Sequence, residues 1–294
     1  MEIIKRVGVF DSGIGGLTVL SECLARMKGV KFFYLGDNEN APYGSKSERE
    51  ITALVRDALR VFEDLKVDAA VLACNTATAV CADIVRREFS FPVVGTEPAI
   101  LPAARVCKNL LVLCTSRTAE SERLQGLIDR CADCKITVYA CPRLAEAIEH
   151  ALTLGLPFSV FDHLPEGSFD GVVLGCTHYS FFRREISEFY GAPVFDGNEG
   201  IARRLQDVLS GGKSDPKWSE NTEINKSSPI EWSENVENEV IFCGNSGEMN
   251  EKIYKQTFAL SNLTLQKQKN PHFEKKMDFC GRKWFKVVDK PKRL

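Results

Sequence analysis

Two stretches of this chain repeat one pattern. Asp68-Ala69-Ala70-Val71-Leu72-Ala73-Cys74-Asn75-Thr76 and Asp170-Gly171-Val172-Val173-Leu174-Gly175-Cys176-Thr177-His178 each run from an aspartate through an apolar segment to a cysteine, then to polar residues. An apolar run of this length with polar bounds reads as a buried parallel strand, which puts each cysteine at a strand's carboxyl end. Open α/β sheets bind ligands at that end. Either cysteine alone reads equally well as a core thiol, since free cysteine is among the most buried residue types. A matched pair with hydrogen-bonding followers points to chemistry.

The surrounding segments alternate between strand and helix patterns. Residues 6–10 read as a strand, Asp11-Ser12-Gly13-Ile14-Gly15-Gly16 as a glycine-rich turn, and 17 to about 27 as an apolar-periodic helix. A strand at 31–37 and a turn-rich loop at 38–44 follow. The Ser47/Glu50 spacing is a capping box, opening a helix with Ile51, Leu54, Val55, Ala58, Leu59, Phe62 and Leu65 on one face. After the Cys74 strand come a helix from 76 to 89 and a short strand at 92–95. A second series begins near Thr96: helix 100–106, strand 110–114, a turn Thr115-Ser116-Arg117-Thr118 capping a helix, strand 135–140, a helix carrying Glu146 and Glu149, and the Cys176 strand.

This alternation predicts an α/β fold of two pseudo-symmetric parallel-sheet units with the active site in the cleft between them. The expected division is 1–96, completed by 239–261, for the first unit and 97–210 for the second. Residues 211–238 read as a polar linker or insertion and 262–294 as a basic tail.

A formal net charge of −2 gives no electrostatic case for nucleic acid or an anionic membrane as partner. No apolar run approaches the roughly 18 residues of a membrane span, and none has a signal peptide's anatomy, so the expected location is the cytoplasm. The cysteine count is odd, at eleven, in a chain too long for a disulfide miniprotein, so reduced thiols are expected. Cys131 and Cys134 have the spacing of a redox or zinc half-site, with Cys141 and His150 as conceivable further ligands. A matching second pair is missing, so no metal is expected.

Two thiols from similar halves can flank one bound carbon. One thiolate takes a proton from one face while the opposed thiol delivers a proton to the other, which inverts a stereocentre. A thiol pKa near about 8.5 suits this work, with Asp11 and His178 placed to set the protonation states. Asn75, Thr76, Thr177, Ser12 and loop N–H groups are candidates for binding carboxylates. The turn at 11–16 has neither the Walker A nor the dinucleotide spacing, and its N–H groups at a helix start suit a small carboxylate. Tyr43 offers a hydroxyl to a ligand. Nothing in the sequence marks a nicotinamide, flavin or metal site, so no cofactor is expected.

The segments Val9-Phe10-Asp11-Ser12-Gly13-Ile14-Gly15-Gly16, Ala41-Pro42-Tyr43-Gly44, Ala73-Cys74-Asn75-Thr76-Ala77 and Gly175-Cys176-Thr177-His178-Tyr179 together resemble the motif set of the glutamate racemases. The resemblance covers about residues 6–210. It implies Cys74 and Cys176 as the acid/base pair of a cofactor-independent racemase. Asp11, Ser12, Tyr43, Gly44, Asn75, Thr76, Thr177 and His178 would hold glutamate, and Pro42 and Thr118 complete the candidate set. It also implies a homodimer that supplies D-glutamate for peptidoglycan. Glu149 matches the family's supporting glutamate, although His150 and Ala151 follow it where the family usually has a glycine. Related aspartate or hydantoin racemases and cysteine-dependent decarboxylases share paired thiols, and a thiol-sensing binding protein is the alternative from another class.

Overall fold

The computed structural model describes residues 4–141, 143–211 and 238–258, with the backbone of two later strands, 263–266 and 285–289. The polar stretch expected at 211–238 and the basic tail lie mostly outside the described residues. The first unit alternates β1 (Lys5–Asp11), α1 (Gly16–Arg26), β2 (Val30–Gly36), α2 (Glu48–Asp64), β3 (Ala69–Leu72), α3 (Asn75–Glu88) and β4 (Val93–Gly95). The second holds α4 (Ile100–Ala104), β5 (Asn109–Cys114), α5 (Ser116–Ala119), α6 (Glu122–Asp129), β6 (Lys135–Ala140), α7 (Leu144–Leu154), β7 (Gly171–Gly175), α8 (Arg183–Tyr190) and β8 (Val194–Phe195). Then come α9 (Asn198–Leu209), β9 (Glu239–Cys243), α10 (Gly247–Phe258), β10 (Leu263–Gln266) and β11 (Phe285–Asp289).

Two sheets with a shared parallel core result. The first contains the order β2-β1-β3-β4 and the second is β6-β5-β7-β8, so β1 corresponds to β5 and β3 to β7. Cys74 follows β3 and Cys176 follows β7, each next to the strand at which the order reverses, the switch point where such sheets bind ligands. The aspartates that open the repeated stretches have a structural task. Asp68 accepts the Arg6 N–H of β1 at 2.8 Å, and Asp170 accepts those of Lys108 and Asn109 at 2.9 and 2.8 Å. Each carboxylate ties the start of its strand to the central strand, fixing the register that carries the cysteine to the far end. A one-residue slip would turn every side chain to the opposite face.

Helices cover both faces of each sheet, which is why the strands read as continuous apolar runs. On the first sheet, α1 and α9 meet Val7, Val9 and Val71 on one side, while α2 and α3 bury Val55, Phe62 and Val85 with Phe10 and Leu72 on the other. Each such side chain contributes about 1.5–3 kcal/mol on full burial. The capping box of α2 forms as its spacing predicts, with the Ser47 hydroxyl accepting the Glu50 N–H and the Glu50 carboxylate accepting the Ser47 N–H. It is worth about 1 kcal/mol and anchors the loop before it, which borders the cleft.

Three features differ from the sequence expectation. Ile201, Ala202, Leu205 and Leu209 of α9 bury into the first sheet's core, so the chain returns to that sheet at Asn198, before the 210 boundary. β8 has only two residues, too few for periodicity to mark. Within the stretch expected to be a basic tail, β11 pairs antiparallel with β9, and β10 with β11. Among the described residues, no helix is long and apolar enough to cross a membrane.

Candidate active site

The two cysteine strands deliver their thiols to one cleft of about 500 Å³ between the units, lined among others by Ser12, Tyr43, Gly44, Cys74, Asn75, Thr76, Thr115, Cys176, Thr177 and His178. Cys74 is the N-cap of α3, its sulfur accepting the Ala77 N–H at 3.5 Å and lying 3.3 Å from the Ser12 hydroxyl. Burial pushes this thiol up to about 12, and the charge of Asp11 adds to the rise against the Ser12 and Ala77 contacts. In the free protein Cys74 therefore carries its proton.

Cys176 has a different setting. Its sulfur lies 3.8 Å from Nδ1 of His178, whose Nε2 is 2.6 Å from Oε2 of Glu149. Burial alone would lower the imidazole, but its contacts with Cys176 and Glu149 hold His178 well above the ordinary histidine range. Burial would likewise raise Glu149. The His178 hydrogen bond and charge, the Ile14 N–H and the Asn38 amide instead keep it below the usual carboxylate value. The pair is thus carboxylate and imidazolium, with the imidazolium placed to exchange a proton at the Cys176 sulfur.

This arrangement reassigns the glycine-rich turn. The Ile14 N–H donates to Glu149 at 2.9 Å and the Gly13 N–H to Asp11 at 3.0 Å, so the turn holds carboxylates of the protein itself where a ligand's was expected. Its glycines admit the second unit. A Cβ on Gly13 would lie 2.4 Å from Glu149, and one on Gly15 would lie 2.3 Å from Thr177 Oγ1 and 2.6 Å from His178 Nδ1.

Asp11 and Thr118 are the candidate residues that do not line the cleft. Asp11 is fully buried beneath it, where it accepts the Thr177 hydroxyl at 3.2 Å and so ties β1 to the second unit. Thr118 is buried behind Thr115 and Thr76, 3.0 and 3.5 Å from their hydroxyls. Pro42, Tyr43 and Gly44 border the cleft, but the Tyr43 hydroxyl donates to Asp37 at 2.7 Å instead of facing a ligand. The Asn75 side chain lines the cleft and has no hydrogen-bond partner among the described residues.

The sequence reading missed Asn38, Thr115, Ser116, Arg143 and Glu146 as lining residues. Thr115 and Ser116 follow β5 as Ser12 follows β1, a signal the repeat already carried. Arg143 sits in the left-handed region at φ 60°, which no sequence pattern announces. The conceivable metal set is not one cluster: Cys141 and His150 line the cleft, whereas Cys131 belongs to the core on the opposite face of the second sheet.

Burial raises Asp11 from 3.8 to about 6, with the His178 charge opposing it. Between these values the folded protein binds more protons than the unfolded chain, so stability falls as pH rises through the window. Above it the buried charge costs about 3 kcal/mol. Asp11→Asn is expected to raise the unfolding free energy by up to that amount at pH 7.5 and to give no gain near pH 4, read by denaturant titration. Equal stability of the two proteins at pH 7.5 would contradict this origin of the shift.

Comparison with known proteins gives one answer. The Asp/Glu/Hydantoin racemase family model matches residues 17–205. Glutamate racemase of Clostridium botulinum is 34% identical over 218 residues, covering 70% of this chain and 84% of that protein. The enzyme of Leptospira interrogans is 37% identical over 213 residues, covering 69% and 82%. The structure of Escherichia coli glutamate racemase, in complex with L-glutamate and the activator UDP-MurNAc-Ala, matches with a TM-score of 0.64 at 33% identity, over 70% of this chain and 83% of that one.

Proposed function

The chain belongs to the Asp/Glu/hydantoin racemase family, and from that premise we propose that it interconverts L- and D-glutamate with Cys74 and Cys176 as opposed acid and base. The observation that carries the reading is that both thiols line one cleft, each from the equivalent strand of its unit. In one direction the Cys176 thiolate takes the α-proton, beside the His178 imidazolium. Negative charge grows on the α-carbon and its carboxylate, where the Asn75 amide and the Thr76 and Thr177 hydroxyls can donate. Cys74, which holds its proton in the free protein, then delivers it to the opposite face. Turnover leaves Cys74 as thiolate and Cys176 as thiol, the state that processes the other enantiomer. The same proposal includes a cytoplasmic homodimer supplying D-glutamate for peptidoglycan.

Substrate length tests the reading. If both carboxylates of the substrate are gripped while its α-carbon sits between the sulfurs, aspartate is one methylene too short to satisfy both ends. Racemisation followed by circular dichroism should give kcat/KM for glutamate about 10²-fold above that for aspartate. Comparable values, or no racemisation of glutamate, would reject it.

A further inference from the structure

Glu149 is held from a direction that the cysteine motifs do not reach. Its second oxygen, Oε1, accepts the side-chain N–H of Asn38, and Asn38 Oδ1 in turn accepts the side-chain N–H of Asn250 at 3.1 Å. The order of donors is fixed by chemistry, because a carboxylate can only accept: Asn38 must present its NH₂ to Glu149 and its carbonyl to Asn250. Asn250 is fully buried on α10, beyond the polar stretch, and Asn245, in the turn that leads into α10, donates to Glu39 of the same loop at 2.9 Å. Gly36, at the end of β2, leaves room for the junction. A Cβ there would lie 2.8 Å from Asn250 Nδ2 and 3.0 Å from Asn38 Oδ1.

Stability alone does not account for Asn250. Its Oδ1 is buried without a hydrogen-bond partner among the described residues, a cost to folding that an apolar side chain would avoid. Its donor side, by contrast, completes a chain of contacts from α10 through Asn38, Glu149 and His178 to the Cys176 sulfur. We propose that Asn38 and Asn250 are positioning residues that orient the Glu149–His178 pair at Cys176, so that the C-terminal return of the chain serves the racemisation step. The inference rests on the racemase reading above. Neither asparagine needs to touch substrate for it to hold.

The charged and titratable groups around His178 are Glu149, Cys176 and Asp11. Without the Asn38 contact the Glu149 carboxylate is free to turn away from His178 Nε2, and the imidazolium loses the aligned hydrogen bond and charge that raise its proton affinity. Two readouts on the full-length protein follow. In Asn250→Ala, kcat for glutamate is expected to fall by up to about tenfold, the upper end of what one hydrogen bond between neutral amides contributes, with KM changed by less than about threefold. Without substrate, the His178 imidazole, one of four histidines and assigned by its loss in His178→Asn, is expected to titrate at lower pH in Asn250→Ala. Asn38→Ala should shift both readouts further, and the double variant should match Asn38→Ala alone, as members of one chain do.

Either readout remaining at the wild-type value in folded Asn250→Ala overturns the proposal, as do losses that multiply in the double variant. Should Asn250→Ala not fold, Asn38→Ala decides by the same two readouts. A wild-type protein that leaves glutamate unchanged would defeat the racemase reading instead. The substrate-free His178 titration would then still decide the relay.

Discussion

Replacing Cys74 or Cys176 with serine should lower glutamate racemisation by about 10²–10⁴, the usual contribution of a positioned acid or base. A hydroxyl is far less acidic than a thiol, so serine fits the space but neither gives up nor regains the proton readily. The two losses will not multiply: once one face of the carbon lacks its group, removal of the other costs little more. The settings differ, however. Cys74 depends on Ser12 and the first turn of α3, and Cys176 on His178. Each variant must therefore be shown to fold and to retain the remaining cleft thiol by mass and titration. Racemisation within tenfold of wild type in either would remove that cysteine from the chemistry.

Glu149→Gln should cost about 10² in kcat, because His178 then loses the charge that keeps it protonated at Cys176. The argument is one of donors and acceptors. The carboxylate accepts from Ile14, His178 and Asn38 at once. An amide has a single acceptor oxygen, and its NH₂ must meet at least one of those donors. The same change should destabilise the fold by about 3 kcal/mol, as breaking a buried ion pair does. It should also move the His178 titration to lower pH. A variant with kcat within threefold of wild type would show that Glu149 is only a structural cross-link between α7 and the glycine-rich turn.

Much of this site was legible because its signals are local. The repeated stretch fixed both cysteines, and the alternation around it implied two similar units with a cleft between them. The aspartates at the stretch starts were visible, but their hydrogen bonds to β1 and β5 were not, since strand pairing is a long-range fact. The glycine-rich turn was correctly placed at a helix start. That its anions are Asp11 and Glu149 depends on α7 arriving from the other unit, which no window of sequence encodes. Tyr43 illustrates the same limit, as its partner Asp37 competes with any ligand only once the loop has folded. Asn250 is the extreme case: an ordinary helical asparagine in sequence, it acquires meaning through Asn38, Glu149 and His178, none of them its neighbours in the chain.

The two-thiol account is tested most directly by isotope transfer during a single passage. Pure L-glutamate is incubated with the wild-type protein in deuterium oxide, and the α-position of product and remaining substrate is read by mass spectrometry, extrapolated to zero conversion. If one cysteine removes the proton and the other delivers its own, the first D-glutamate formed carries deuterium at the α-carbon, and deuterium in recovered L-glutamate reports only return from an exchanged thiol. D-Glutamate that keeps the original hydrogen would mean that one group moved the same proton across the carbon, and the two-thiol mechanism would be wrong.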